Sequence, residues 1–131
     1  RRRNLDVLKI TKALGDQNRL RILHLLSEGE LCACELEGIL SMSQSNVSRH
    51  LAKLNEALVT DYRKDAKYSY YRLKRETLNA YPFISSMIES LKEEKLYEED
   101  RKRLQEYKVK NYNCESLKEN VLLFMNEERI V

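Results

Sequence analysis

The chain has 131 residues, enough for one domain with an appendage and too few for a second enzyme-sized unit. Charged residues make up 34% of it, no apolar run approaches the eighteen or so that span a bilayer, and Arg1-Arg2-Arg3 is not followed by a signal-peptide apolar stretch; the expectation is a cytoplasmic protein with no membrane partner. Net charge is only +3, yet Ser43 to Arg75 holds eight basic residues against three acidic ones, which makes that block a candidate phosphate-contacting surface, although a charge run is more often a plain solvated face.

Leu5, Val7, Leu8, Ile10 and Leu14 recur at helical spacing and predict a first helix that Gly15 stops. Asp16 caps a second, which carries Leu20, Leu23, Leu25 and Leu26 to Ser27, with His24 structural within its apolar run. A short third segment spans Cys34 to Leu40, and Ser41-Met42-Ser43 is a tight turn. Ser43 then caps a fourth helix, Gln44 to about Ala57, whose Val47, Leu51 and Leu54 face the core at i, i+4 and i+7. Ser45, Arg49 and Ala52 point the opposite way, with Asn46, Ser48 and Lys53 on the flanks. Two helices joined by such a turn, the second with a small, polar and basic outer face, read as a helix-turn-helix whose second helix enters the major groove of double-stranded DNA.

Gln44, Ser45, Asn46, Ser48, Arg49 and Lys53 are therefore the expected DNA contacts of that helix, with His50, beside the core-facing stripe, as a further phosphate contact. Leu58 to Leu73 is rich in Val, Thr and Tyr and predicts a β-hairpin with a basic tip, from which Arg63, Lys64 and Lys67 grip the backbone or the minor groove. From Thr77 the pattern is helical again through Ile84, Met87, Ile88 and Leu91, with Pro82 tolerable in a first turn, and it continues to Lys110. Asn111-Tyr112-Asn113 breaks it, and Leu117, Val121, Phe124 and Met125 mark a last amphipathic helix. The predicted fold is mainly α with a small β-hairpin: a winged helix-turn-helix over residues 1–91, followed by a C-terminal helical extension over 92–131. One recognition helix reads too few bases, so a homodimer is expected, formed through Tyr81 to Leu91 by way of Ile84 and Ile88, with help from Leu5 and Leu8. No phosphate loop or nucleophile–base motif is present, and neither an enzyme nor an RNA-binding protein is expected.

Three cysteines, an odd count, argue against a secreted disulfide scaffold and for reduced thiols with metal or redox chemistry. Cys32 and Cys34 stand one residue apart, which is not the C-x-x-C spacing of zinc ribbons or thioredoxin-like sites. A dithiol redox enzyme would also need a βαβ pattern and a nearby acid or base, and neither is found.

The stretches "LGDQNRLRILHLL", "GELCACEL", "SQSNVSRHLAKL" and "YYRL" resemble matching segments of the ArsR/SmtB family of prokaryotic metal-responsive repressors, over roughly residues 5 to 91. The cysteine pair is similar to the arsenic-binding element of that family's arsenical-resistance repressors. The resemblance implies a repressor that needs no cofactor to bind its operator and leaves it when arsenic(III) or antimony(III) binds Cys32 and Cys34; cadmium, lead or thiol oxidation acting on the same cysteines is the alternative. Cys114 is the candidate third ligand. The family's other metal site, on the helix after the wing, requires His, and residues 77–131 have none. The sequence departs from the family pattern at Gln17, where Pro is usual, at Ser41 and Ala66, where Gly is usual, and at Glu37, where a third cysteine often stands. The usual Ala-Gly-Leu-Val is shortened to Ala57-Leu58-Val59, by a different helix end or by a dropped residue.

Thiophilic ions hold sulfur at about 2.3 Å and so bring two thiolates within roughly 4 Å of each other. Positions i and i+2 of a regular helix lie about 200° apart around the axis. Ligation by both cysteines is thus expected to unwind the first turn of the third helix, on which Val47 and Leu51 pack.

Overall fold

The structure is a computed structural model, and it describes residues 5–110. Helix α1 (Val7–Leu14) starts at Asp6, whose carboxylate accepts from the N–H groups of Leu8 and Lys9. Helix α2 (Gln17–Leu26) starts at Asp16, which accepts from Asn18 and Arg19 at 2.8 and 3.1 Å. Strand β1 (Leu31–Cys32) runs directly into α3 (Ala33–Leu40), and α4 (Gln44–Glu56) follows with Ser43 as its cap. The wing is β2 (Thr60–Asp65) and β3 (Tyr68–Leu73); α5 (Arg75–Ala80), α6 (Phe83–Leu91) and α7 (Lys95–Val109) complete the described chain. Ile22, Leu23 and Leu25 of α2 form the centre of the core with Leu36 and Ile39 of α3 and Val47, Leu51 and Leu54 of α4. That packing turns the opposite side of α4 outward. No helix among the described residues is long and apolar enough to cross a membrane.

The fold is a winged helix-turn-helix, as the sequence predicts, with one more strand than the hairpin. The sheet order is β1-β3-β2, all antiparallel, with Leu31 opposite Tyr71 and Cys32 opposite Tyr70. Cys32 is thereby placed on the wing sheet. The single long helix expected from Thr77 to Lys110 is instead three. Pro82 has no N–H to donate and holds Tyr81 out of helical geometry, at φ −130°, ψ 79°. A second break at Lys92–Glu94 lets α7 fold back so that Tyr97, Asp100, Leu104 and Tyr107, one face at spacings of three and four, are buried against α2 and α3. Ile84 and Ile88, expected at a dimer interface, are buried in the protomer's own core. Exposed large apolar side chains include Val7 and Leu8 of α1 and Phe83 of α6.

Among the described residues, three other than glycine have positive φ: Ser41 at 58°, Leu58 at 65° and Ala66 at 57°. Leu58 closes α4. Its N–H donates to the Asn55 carbonyl and the Val59 N–H to the Leu54 carbonyl, both at 3.0 Å, the paired bonds of a Schellman ending with leucine where glycine is usual. The shortened Ala57-Leu58-Val59 therefore completes the helix end with no further residue. Ala66 opens the two-residue wing turn at the position where a left-handed conformation favours glycine.

Candidate DNA-binding face and cysteine site

The outward face of α4 carries most of the predicted contacts. Gln44, Ser45, Ser48, Arg49 and Lys53 are exposed and Asn46 is half-buried. Arg49 Nη2 donates to Asn46 Oδ1 at 2.6 Å, which lays the guanidinium along the N-terminal half of the helix, where base edges would be met. His50 does not belong to this face. It is 1% exposed, its Nδ1 lies 3.3 Å from Arg19 Nη1 and its Nε2 3.9 Å from Asp16, so it joins α4 to the start of α2 instead of reaching a phosphate. Burial, against the attraction of Asp16, holds its pKa below the ordinary histidine value.

On the wing, Lys64 is exposed and the Lys67 ammonium lies 5.5 Å from the Tyr68 ring centre. Arg63 is engaged within the protein: it stacks 4.9 Å over Tyr70 and pairs with Glu30 at 2.9 Å. Arg72 shares Glu30 and also holds Asp61 at 2.8 Å. The hydrogen bond from Arg63 keeps the Glu30 carboxyl below the usual carboxylate range. Sequence order could not show Glu30, on the loop before β1, as the anchor of two wing arginines.

The cysteine pair straddles the junction of β1 and α3. Cys32 is buried at the strand end with extended backbone (φ −84°, ψ 166°), and Cys34 is half-buried in the first helical turn. Because Cys32 precedes the helix, the angular separation expected within a helix does not apply, and the two Sγ atoms lie 3.2 Å apart. That is longer than the roughly 2.05 Å of a covalent disulfide and within the span that one thiophilic ion bridges. The helix does not have to unwind for the sulfurs to converge. A cavity of about 380 Å³ opens beside them, and its lining includes Cys32, Cys34 and Glu37 together with Gln44 of α4 and Lys67 and Ser69 of the wing. The site thus adjoins both elements expected to meet DNA. Two soft sulfur donors at the positive end of α3 suit a thiophilic cation that leaves negative charge on sulfur. Among the described residues no group of three or more His, Cys, Asp or Glu is arranged to hold a metal ion, and Cys114 lies outside them.

Glu35 and Tyr107 are further residues of this site that the sequence reading missed. Glu35 Oε1 accepts from the Cys32 N–H at 2.9 Å and its Oε2 accepts from the Tyr107 hydroxyl. Burial, and then this bond to Glu35, pushes the Tyr107 phenol well up, so it remains a donor. A glutamate three residues after a helix cap was a readable signal for Glu35; nothing local marks Tyr107.

A helix-turn-helix with an exposed basic face and an adjoining three-stranded wing defines the class as winged-helix regulators. Residues 16–58 match the family described as bacterial regulatory protein, arsR family. The chain is 42% identical over 73 residues to a cadmium resistance transcriptional regulatory protein CadC homolog of Staphylococcus aureus, covering 55% of this chain and 60% of that protein. It is 41% identical over 74 residues to an arsenical resistance operon repressor of the same species, covering 56% of this chain and 71% of that one. Among solved structures, the homodimeric winged helix-turn-helix domain Mb0332 of Mycobacterium bovis, a possible ArsR-family transcriptional regulator, aligns with a TM-score of 0.57 at 25% identity, over 67% of this chain and 82% of that one. The chain spans about three fifths of the length of the cadmium-related protein. It belongs to the arsR family of bacterial regulatory proteins.

Proposed function

We propose that this protein is a homodimeric repressor that binds double-stranded operator DNA and releases it when a thiophilic ion, arsenic(III) or antimony(III), is held by Cys32 and Cys34. The observation that carries the reading is the convergence of the two sulfurs beside a cavity shared with Gln44 and the wing. Gln44, Ser45, Asn46, Ser48, Arg49 and Lys53 meet the major groove, and Lys64, Lys67 and Arg63 meet the backbone beside it. DNA binding and dimerisation are assigned to residues 1–91. The dimeric state of the Mycobacterium bovis domain supports a two-fold arrangement, with exposed Val7, Leu8 and Phe83 as apolar surface for it.

An ion held by the pair supplies two metal–sulfur bonds, and Cys114 is the further thiol this sequence offers. The residues that respond are those coupled to the two cysteines: Cys32 is paired with Tyr70 of the wing, and Cys34 lies on α3, which packs on α4. A change in their separation is passed to wing and recognition helix together.

The likeness to a cadmium resistance regulator favours cadmium as the alternative inducer. The test is anisotropy of a labelled operator titrated with arsenite, antimonite, cadmium, lead and zinc. Cys32→Ser and Cys34→Ser should bind the operator normally and stay bound when arsenite is added, whereas Cys114→Ser should still release. Release of Cys34→Ser at the wild-type arsenite concentration would place the inducer elsewhere.

A further inference from the structure

Helix α7 grips both ends of α3. In the last turn of α3, the Ile39 carbonyl accepts from Arg103 Nε at 2.9 Å, while Arg103 Nη2 holds Asp100 at 2.6 Å. At the other end, the buried Tyr107 hydroxyl donates to Glu35. The same carboxylate accepts from the Cys32 N–H and so holds the Cys32 backbone in the extended form that brings its sulfur to Cys34.

We propose that Tyr107 and Glu35 are positioning residues of the thiophile site, presetting the Cys32–Cys34 geometry so that occupation of the pair and docking of the end of α7 strengthen one another. The inference rests on the cysteine pair being the inducer site. Without the Tyr107 hydroxyl, half-buried Glu35 is free to turn to solvent. The Cys32 N–H then loses its preset acceptor, and ordering the pair must be done at the expense of ion affinity. Coupling between two sites is reciprocal, so weaker docking and weaker binding are one effect measured at two places.

The test compares the full chain with Tyr107→Phe, Glu35→Ala, their double variant and Glu35→Gln. Arsenite affinity of the DNA-free reduced protein is read by calorimetry. The rate of thiol reaction with an aromatic disulfide reagent is read in a Cys114→Ser background, where only the pair reports. Far-UV circular dichroism and a cooperative urea transition show that each variant folds. Tyr107→Phe and Glu35→Ala should each weaken arsenite binding by about five- to tenfold, and each should change the thiol rate. The double variant should lose no more than the worse single one, because both act through one carboxylate. Glu35→Gln, which keeps an acceptor for the Cys32 N–H, should recover most of the loss. Equal affinity and equal thiol rates in Tyr107→Phe, or additive losses in the double variant, overturn the inference and leave the proposed function standing. If the wild type does not bind arsenite, the proposed function fails and the thiol rates alone decide: a difference keeps the positioning role, and equality removes it.

Discussion

Replacing Asp100 with alanine tests whether α7 is part of the cooperative unit. The carboxylate is fully buried and accepts from Arg21 Nε and Nη2 at 2.9 Å each, and from Arg103 Nη2 at 2.6 Å. Removing one partner of a buried ion pair costs about 3–5 kcal/mol, because the remaining charge is left without compensation. The Arg21 side chain is 15% exposed and that of Arg103 25%, so both guanidinium groups can turn toward water. The expected loss therefore falls at the lower end, about 3 kcal/mol. With a urea slope of about 2 kcal/mol/M, the unfolding midpoint should drop by about 1.5 M. Far-UV circular dichroism at one fixed protein concentration measures it, since the proposed dimerisation would make apparent stability depend on concentration. Asp100→Leu combined with Arg21→Met should recover much of the loss, because an apolar pair leaves no charge unmatched. A midpoint shift below about 0.5 M in Asp100→Ala would show that α7 is not docked through this residue.

Ala66→Gly should raise stability by about 1 kcal/mol by relieving a left-handed alanine at the wing turn, and a lowered urea midpoint would contradict the turn geometry. His24 is fully buried, edge-on to Tyr97, and burial holds its pKa below 6.5 despite the attraction of Asp100. A depressed histidine pKa means that the unfolded chain takes up the proton first, so stability is full above about pH 6.5 and is lost as pH falls. The wild type should weaken between pH 7.5 and 5.5, and His24→Phe should weaken less; equal pH slopes would exclude His24 as the cause. Arg49→Ala should cost about 1–3 kcal/mol at the operator and little on unrelated DNA, whereas Lys64→Ala should weaken both alike and lower the salt slope by about one. Equal losses on both DNAs for Arg49→Ala would make it a backbone contact.

Local chemistry was legible in the sequence, and long-range contact was not. Asp16 and Ser43 cap the helices they were expected to cap, and the Val47, Leu51 and Leu54 stripe fixes which side of α4 faces out. Strand β1 has only two residues, too few for alternation to register, so its pairing with Tyr70 and Tyr71 had no local sign. Periodicity marked Ile84 and Ile88 as apolar but could not say whether their own core or a second copy covers them; here it is the core. His50 lies one step from the apolar stripe, a position that can turn either way, and the α2 terminus draws it inward. Tyr107 meets Glu35 across 72 residues, a contact only the fold can make.

The one-residue spacing of the cysteines takes its meaning from the junction it spans. Both residues on α3 would diverge, and both on β1 would share one face of the sheet but stand about 6.6 Å apart along the strand. With one at the strand end and one in the first turn, the sulfurs meet while their backbones remain tied to different neighbours, Cys32 to Tyr70 of the wing and Cys34 to the helix beneath α4. In the proposed function, an ion held between them would act on the angle between sheet and helix, the joint that would set how wing and recognition helix sit on one duplex. No helical turn has to melt first, so the free energy of ligation can go into that angle. Glu35, which fixes the Cys32 backbone from the helix side, is part of the same joint.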